Sequence, residues 1–342
     1  MKSKLKYLCY IALSVFLIAW IMYSFKEGKE LVKTTKNISC LYFIPQFICI
    51  FLTNVLNSYL NMSLIQHFGL KLFWKEWLPL GFVNSLANLI FPATTGTMIK
   101  AVYLKKKYNF AITKNFSLLL FATFITYLNL FFLTGISLFF MKKIYNDNVI
   151  NINNLIPNSP IPFFDLLTTG MFAMTTIGLI ILLILKLIRH NGYSCQKHTR
   201  TRDINFALLL LQGSMELSSS KTIAVKIFIC TSLSYFIRLG MLHWGFLAVD
   251  AHLNISQLIF INLFFSLQSF VNFLPGNIGI QEVVITISSG VIGGDFSDGL
   301  IVAAIIRLAS LIEIFLFGFL SYKILNVSAF LNQKTAGLSN NN

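Results

Sequence analysis

The chain has 342 residues, of which 56% are hydrophobic and only 11% are charged, and its formal net charge is +15 at neutral pH. This composition excludes an ordinary soluble globular domain and is typical of a protein embedded in a membrane. The 5 cysteines are scattered, without C-x-x-C spacing or a histidine cluster. We therefore predict neither a disulfide framework nor a metal site, and we expect no cofactor.

Apolar runs of about 20 residues recur along the chain, and each can cross about 30 Å of hydrocarbon at about 1.5 Å per residue. The first run is too long for the apolar core of a signal peptide, and no A-x-A-like cleavage site follows it, so we expect it to be retained. The sequence predicts six full spans, at residues 6–25, 40–60, 116–141, 163–188, 222–248 and 299–325.

Two further apolar stretches, 77–104 and 257–292, are interrupted by proline and glycine. The first contains NLIFPATTG (88–96) and the second contains VNFLPGNIG (271–279), so Asn precedes Pro-x-x-x-Gly in both. Proline removes a backbone donor and glycine permits unusual dihedral angles. Irregular backbone at membrane depth persists only where protein covers it or where it lines a wet cavity. We therefore predict two re-entrant hairpins with turns at Pro92, Gly96, Pro275, Gly276 and Gly279. Ordinary helical hairpins with proline kinks are the alternative.

Each broken stretch lies between two full spans, which defines half-repeats at residues 40–141 and 222–325. If the amino terminus is cytoplasmic, the first stretch enters from the cytoplasm and the second from outside, so the halves form an inverted repeat. This topology places most lysines and arginines in cytoplasmic segments, as the positive-inside rule requires. It accounts for the net charge without a nucleic-acid partner.

The predicted fold is therefore all-α: a polytopic integral membrane protein with six full spans and two re-entrant hairpins. We expect one transmembrane domain over residues 1–330 and a polar carboxy-terminal tail over residues 331–342. The predicted location is the inner (cytoplasmic) membrane of the cell, with both termini in the cytoplasm.

Five ionisable residues fall inside the apolar segments: Lys100, Arg238, Glu282, Arg307 and Glu313. A charge at the centre of a bilayer costs about 2.5–3.5 kcal/mol on insertion scales, so such residues indicate a functional site. Glu282 is predicted either to cap its helix or to pair with Arg307 or Arg238 in a buried network that shapes a binding cavity. Lys100 either extends toward the cytoplasmic interface or lines a binding cavity. Arg307 and Glu313 are six residues apart, so we do not expect them to pair.

Two motifs resemble a known family. PATTGTMIKAVYL, from Pro92, and LPGNIGIQEVV, followed by Arg307, resemble the membrane region of bacterial lysylphosphatidylglycerol synthase/flippase proteins over about residues 40–325. The later motif matches the pattern Pro-Gly-x-x-Gly-x-x-Glu with an arginine about 25 residues on. The earlier one departs from Pro-x-Arg-x-Gly-Glu-x-x-Arg, since Thr94 and Thr97 replace the first arginine and the glutamate, and Lys100 replaces the last arginine.

The resemblance implies a membrane domain that translocates a lipid with a polar headgroup or holds it for a partner. Family members fused to a soluble aminoacyl-transfer domain make lysyl lipid, and this chain ends at Asn342 without one. We therefore expect no lipid aminoacylation by this chain alone. We also find no nucleophile–base pair or aspartate-rich metal motif, so we do not predict an enzyme.

Two functions remain open. The first is a lipid flippase or transporter-like protein for a lipid with an anionic or zwitterionic headgroup, such as a phospholipid or a polyprenyl-phosphate-linked sugar. The second is a non-transporting membrane partner that presents such a lipid to a glycosyltransferase or another envelope enzyme. The candidate headgroup-binding residues are Glu282, Arg307, Arg238, Lys100, Asn272 and Asn88. The two asparagines also fit the role of interhelical hydrogen-bonders.

Overall fold

The computed structural model describes residues 40–91, 95–145, 169–178, 180, 217, 220–268 and 275–326. The regular elements within these residues are helices. Short 3-10 turns cover Cys40–Tyr42 and Pro275–Asn277, and residues 169–178 are also helical. The principal helices are α1 (Phe43–His67), α2 (Trp74–Ile90), α3 (Thr95–Tyr108), α4 (Ile112–Tyr145), α5 (Lys221–Ala248), α6 (Ile255–Leu267), α7 (Ile280–Val291) and α8 (Phe296–Ile324).

Within the described residues, four helices are long and apolar enough to cross a membrane: α1, α4, α5 and α8. They confirm apolar helices at the predicted spans 40–60, 116–141, 222–248 and 299–325. The predicted span 6–25 lies outside the described residues, and 163–188 is described only at 169–178 and 180. The predicted tail at 331–342 also lies outside them.

Each broken apolar stretch forms two shorter helices. We call α2 with α3 the first helix pair and α6 with α7 the second helix pair. Pro275 opens the 3-10 turn before α7, whereas Pro92 and Asn272 lie outside the described residues. Re-entry of these pairs into the membrane, and their relation as an inverted repeat, stay predictions.

The chain divides into two compact units. Unit 1 takes its residues from Met1–Thr53, Tyr127–Leu179 and Thr231–Leu311, and it contains the second helix pair. Unit 2 takes its residues from Asn54–Thr126, Ile180–Cys230 and Ile312–Asn342, and it contains the first helix pair. The predicted half-repeats do not coincide with these units, because each half-repeat contributes residues to both. The single domain over residues 1–330 stays a prediction.

Contacts within unit 1 give the relative directions of three long helices. Tyr42 stacks on Trp244 with ring centroids 5.8 Å apart. Cys49, which follows Tyr42 in the chain, faces Gly240, which precedes Trp244 on α5. The described parts of α1 and α5 therefore run antiparallel. Asn129 Nδ2 on α4 donates to Thr231 Oγ1 on α5 at 2.6 Å. Thr134 lies after Asn129 on α4, and it is near Tyr235, which lies after Thr231 on α5. The two helices therefore run parallel. This agrees with the predicted topology, in which both spans cross the membrane in the same direction.

Apolar side chains form a core within each unit. In unit 1, Leu242, Ile261, Ile285, Val302 and Ile306 belong to one buried cluster that joins α5, α6, α7 and α8. In unit 2, Phe82 on α2 stacks on Phe317 of α8 with ring centroids 5.2 Å apart. Packing in a membrane depends on such close fits, because lipid tails are as apolar as the side chains they would replace.

Candidate functional site

The break before α7 has a backbone that an α-helix cannot adopt. Gly276, Asn277 and Gly279 have positive φ angles of 58°, 54° and 88°. Positive φ is readily available to glycine and is tolerated by asparagine, which explains the residue types of this short segment. Polar backbone groups at a helix break inside an apolar region need hydrogen-bond donors, and a side chain can supply them.

Arg307 on α8 supplies those donors. Its Nη1 donates to the carbonyl of Gly276 at 2.6 Å, and its Nη2 donates to the carbonyl of Asn277 at 2.9 Å. Its Nε donates to Glu282 Oε1 at 2.8 Å, which makes a charged pair. The side chains of Arg307 and Glu282 are only 14% and 15% exposed. The planar guanidinium therefore holds the break and the start of α7 with one set of diverging donors.

Glu282 also caps α7 from its first turn. Its Oε2 accepts a hydrogen bond from the backbone N–H of Gly279 at 2.8 Å. The carboxylate therefore satisfies a donor at the amino-terminal end of α7, where the helix dipole favours negative charge. Both sequence-based alternatives for Glu282 are thus correct, and Arg307 is its ionic partner. Its role in binding a headgroup stays a prediction.

The open end of the second helix pair is fastened by Gln257. Its Oε1 accepts from the backbone N–H of Asn254 at 2.8 Å, which caps α6, and its Nε2 donates to the carbonyl of Ile292 at 3.0 Å, just beyond α7. The Gln257 side chain therefore satisfies a backbone N–H at the start of α6 and a backbone carbonyl at the end of α7. The second helix pair is held both at its break and at its base.

The first helix pair is closed at its turn by Asn88. The backbone N–H of Gly96 donates to Asn88 Oδ1 at 2.8 Å. A Cβ on Gly96 would collide with the backbone carbonyl of Asn84, so only glycine lets α3 begin this close to α2. Asn88 thus acts in the described structure as a hydrogen-bonder within the helix pair.

The base of the first helix pair carries a charged cluster. Glu76 accepts hydrogen bonds from Lys107 and from the Tyr108 hydroxyl, the latter at 2.5 Å to Oε1. Burial raises the pKa of Glu76, but the hydrogen bonds from Lys107 and Tyr108 outweigh burial and bring it below its usual value. Burial and the bond to Glu76 raise the pKa of Tyr108 to about 12. Glu76 is therefore a carboxylate at neutral pH and ties the two helix ends together.

Lys100 lines a small pocket of unit 2. Its side chain is buried, with 8% of the residue exposed, and its Nζ donates to Asn61 Oδ1 on α1 at 2.9 Å. No carboxylate of the described residues lies within 4 Å of it. This buried position disagrees with the alternative of a lysine extending to the interface. The pocket has room for about one water molecule, and its lining includes Ser58, Asn61, Trp77 and Asn84.

Arg238 lies in unit 1, on α5, and is partly exposed. Within the described part of the chain, it forms no ion pair, including with Glu282. Its Nε is buried and meets no hydrogen-bond acceptor there. Of the two partners predicted for Glu282, the structure therefore selects Arg307 and leaves Arg238 to another role.

Glu313 lies in unit 2 and is fully buried. Its Oε1 accepts from Asn54 Nδ2 on α1 at 2.8 Å, so an amide, and not Arg307, is its partner, as its spacing from Arg307 predicts. Sequence reasoning missed the amides that meet the buried charges. Asn54 and Asn61 lie seven residues apart, which is two turns on one helix face, and this spacing of polar residues in an apolar span was the available signal.

The described residues contain four long apolar helices, two pairs of shorter helices and a buried Arg–Glu pair, which together define a helical, multi-pass membrane protein. The model of the lysylphosphatidylglycerol synthase transmembrane region family matches residues 8–318. The chain therefore belongs to this family, as the two motifs predicted. No curated protein and no solved structure matches the chain. Family membership marks it as a membrane protein with a lipid-related role.

Proposed function

We propose that this chain is a lipid flippase or transporter-like protein that binds the polar headgroup of a membrane lipid while the acyl or prenyl chains stay in the bilayer. The headgroup is anionic or zwitterionic. We propose this as a binding and transport role with no chemical step, and the required partner is the lipid itself.

The observation that carries the proposal is the arginine-held break in the second helix pair. Arg307 satisfies two backbone carbonyls and Glu282 at a point where the helix is interrupted. A continuous helix would satisfy these groups at less cost, because it needs no buried charges. A break maintained by a buried ion pair is the kind of feature from which membrane transporters build binding sites for polar groups.

Two cations support an anionic or zwitterionic headgroup. Lys100 meets an amide oxygen, and Arg238 forms no ion pair within the described residues. A phosphate group would give such cations a counter-charge and would itself gain donors that replace water. Lysine and arginine at depth therefore favour lipids whose headgroups carry phosphate.

A leaflet assay in proteoliposomes tests the proposal. Labelled phosphatidylglycerol, phosphatidylethanolamine and a polyprenyl-phosphate sugar are followed with a reagent that cannot cross the membrane. We expect wild-type protein to move at least one of these lipids between leaflets. We expect Glu282→Gln, which keeps the size of the side chain but removes its charge, to slow movement about tenfold or more with normal insertion.

The matched control is Lys106→Ala, which removes an exposed charge from the end of α3 and is expected to leave transport intact. Equal rates in both variants would contradict the role of Glu282. If wild-type protein leaves every tested lipid on its original leaflet, the transport proposal fails. The chain would then fit a non-transporting partner of a glycosyltransferase or another envelope enzyme.

A further inference from the structure

Arg238 lies beside a group of polar side chains from three helices of unit 1. Tyr235 lies one turn before it on α5, and the Tyr235 hydroxyl faces Thr134 and Ser137 on α4 and Asn262 on α6. Thr134 and Asn262 are fully buried, and Tyr235 is 2% exposed. This cluster, which we call the Arg238 cluster, lies among helices whose remaining positions are mostly apolar.

The Arg238 cluster contains an unusual number of buried polar atoms without partners. Within the described residues, no hydrogen bond of good geometry reaches Thr134 Oγ1, the Tyr235 hydroxyl, Arg238 Nε or either side-chain polar atom of Asn262. Native proteins leave only a few such atoms per 100 residues, and each costs about 1–3 kcal/mol. Several of these atoms lie around the Tyr235 hydroxyl, next to the Arg238 cation, which indicates that another group satisfies them.

The chemistry of the cluster selects the missing group. Guanidinium N–H groups, two hydroxyls and an amide are all hydrogen-bond donors, and arginine keeps its positive charge at every relevant pH. Water can satisfy the hydroxyls and the amide, but it cannot neutralise a guanidinium in an apolar region. An oxyanion does both, and a phosphate group matches the diverging donors of arginine.

We propose that the Arg238 cluster binds a phosphate group, with Arg238, Tyr235, Thr134 and Asn262 as its donors. Arg238 is partly exposed, so the phosphate of a lipid headgroup can reach it from the protein surface. This inference rests on the proposed function in naming the phosphate of a lipid headgroup as the group that is bound. The phosphate site is separate from the break in the second helix pair. Arg307 already uses its donors to hold that break, so it does not contact the phosphate.

Equilibrium binding by the purified full chain tests the proposal without requiring transport. The probes are dioctanoyl phosphatidylglycerol, dioctanoylglycerol with the same chains but no phosphate, and inorganic phosphate. A ligand that binds the folded protein raises its unfolding temperature in a concentration-dependent way, which gives a Kd for each probe. We expect wild-type protein to bind the phosphatidylglycerol and not the dioctanoylglycerol. Binding of inorganic phosphate as tightly as of the lipid would keep the phosphate site but assign it to free phosphate.

Variants locate the bound phosphate. We expect R238Q to raise the Kd about tenfold or more, because a charge-assisted bond is lost. Y235F and T134V each remove one hydroxyl at nearly constant volume, and each is expected to raise the Kd about two- to tenfold. K226Q is the matched control, since Lys226 is an exposed cation on the same helix, and it should bind like wild type. If R238Q does not fold, Y235F and T134V decide the test.

Equal Kd values for R238Q and K226Q, or dioctanoylglycerol binding as tight as phosphatidylglycerol binding, would overturn the proposal. Phosphatidylglycerol binding that depends on Arg238, without movement of lipid between leaflets, would keep this site and reject the flippase role. Leaflet movement that R238Q leaves unchanged, with unchanged binding, would reject this site and keep the proposed function.

Discussion

Replacement of Arg307 by alanine is expected to destabilise the protein by about 3–5 kcal/mol, the usual result of removing one partner of a buried ion pair. The variant leaves the carbonyls of Gly276 and Asn277 without their donor and leaves Glu282 as an uncompensated charge. The loss is measured as the drop in unfolding free energy of the purified protein in detergent. Transport in the leaflet assay should be abolished, because the break no longer keeps its shape.

Arg307→Lys separates charge from geometry. An ammonium keeps the positive charge but cannot reach three acceptors from one plane, so we expect a smaller loss of about 1–3 kcal/mol. Lys323→Ala, which removes an exposed cation near the end of the same helix, should change stability by less than about 0.5 kcal/mol. If Arg307→Ala were as stable as Lys323→Ala, Arg307 would not hold the break.

Gly96→Ala is expected to have the largest effect within the first helix pair. The added Cβ would meet the backbone carbonyl of Asn84 and approach Asn88 Oδ1 to 2.8 Å. Because one contact is backbone, α2 and α3 must separate, and the Gly96 N–H···Asn88 bond must lengthen. We expect a destabilisation of about 1–3 kcal/mol, as for other overpacked sites, measured by thermal unfolding.

Gly170→Ala is the matched control for this substitution. Gly170 lies in the helical residues 169–178, and a Cβ there would meet nothing within 4 Å. Alanine in a helix is favoured over glycine by about 0.5–1 kcal/mol, so this variant should be neutral or slightly more stable. An equally stable Gly96→Ala protein would show that the two helices do not approach as closely as the glycine permits.

Structural features that depend on local sequence were predictable. The lengths of the apolar runs predicted the four long helices, because crossing hydrocarbon requires about 20 residues. Proline and glycine predicted where the helices break. That Glu282 pairs with an arginine was predictable because a buried charge needs a partner, but the sequence left Arg307 and Arg238 open and the structure selects Arg307.

Contacts between distant parts of the chain were not predictable in this way. Lys100 meets Asn61, which lies 39 residues earlier, and Tyr235 lies near residues of α4 and α6. Asparagine and threonine are common in membrane helices, and a single sequence does not say which of them share a site. Asn88 closes the first helix pair by a local hydrogen bond, which is the alternative role that the sequence suggested, and its role in headgroup binding stays a prediction.

The two helix pairs share a design in the described residues that goes beyond the motif Pro-x-x-x-Gly. Each is fixed near its turn by a polar side chain, Asn88 in the first and Arg307 in the second. Each is also fastened at its open end, by Glu76 with Lys107 and by Gln257. In the described residues, polar side chains therefore stabilise both ends of each helix pair.

We expect both helix breaks to be reachable from water, although they lie within apolar segments. In a cysteine-free background, Phe91→Cys and Ile278→Cys place a thiol beside each break, where the native side chains are 48% and 37% exposed. Leu233→Cys, on an exposed apolar position of α5, is the control. A membrane-impermeant maleimide is applied to intact proteoliposomes, which expose one side of the membrane, and to opened ones, which expose both sides. We expect it to modify both break cysteines and to leave the control thiol on α5 unmodified. If neither break cysteine reacts from either side, the breaks are packed dry and the account is wrong.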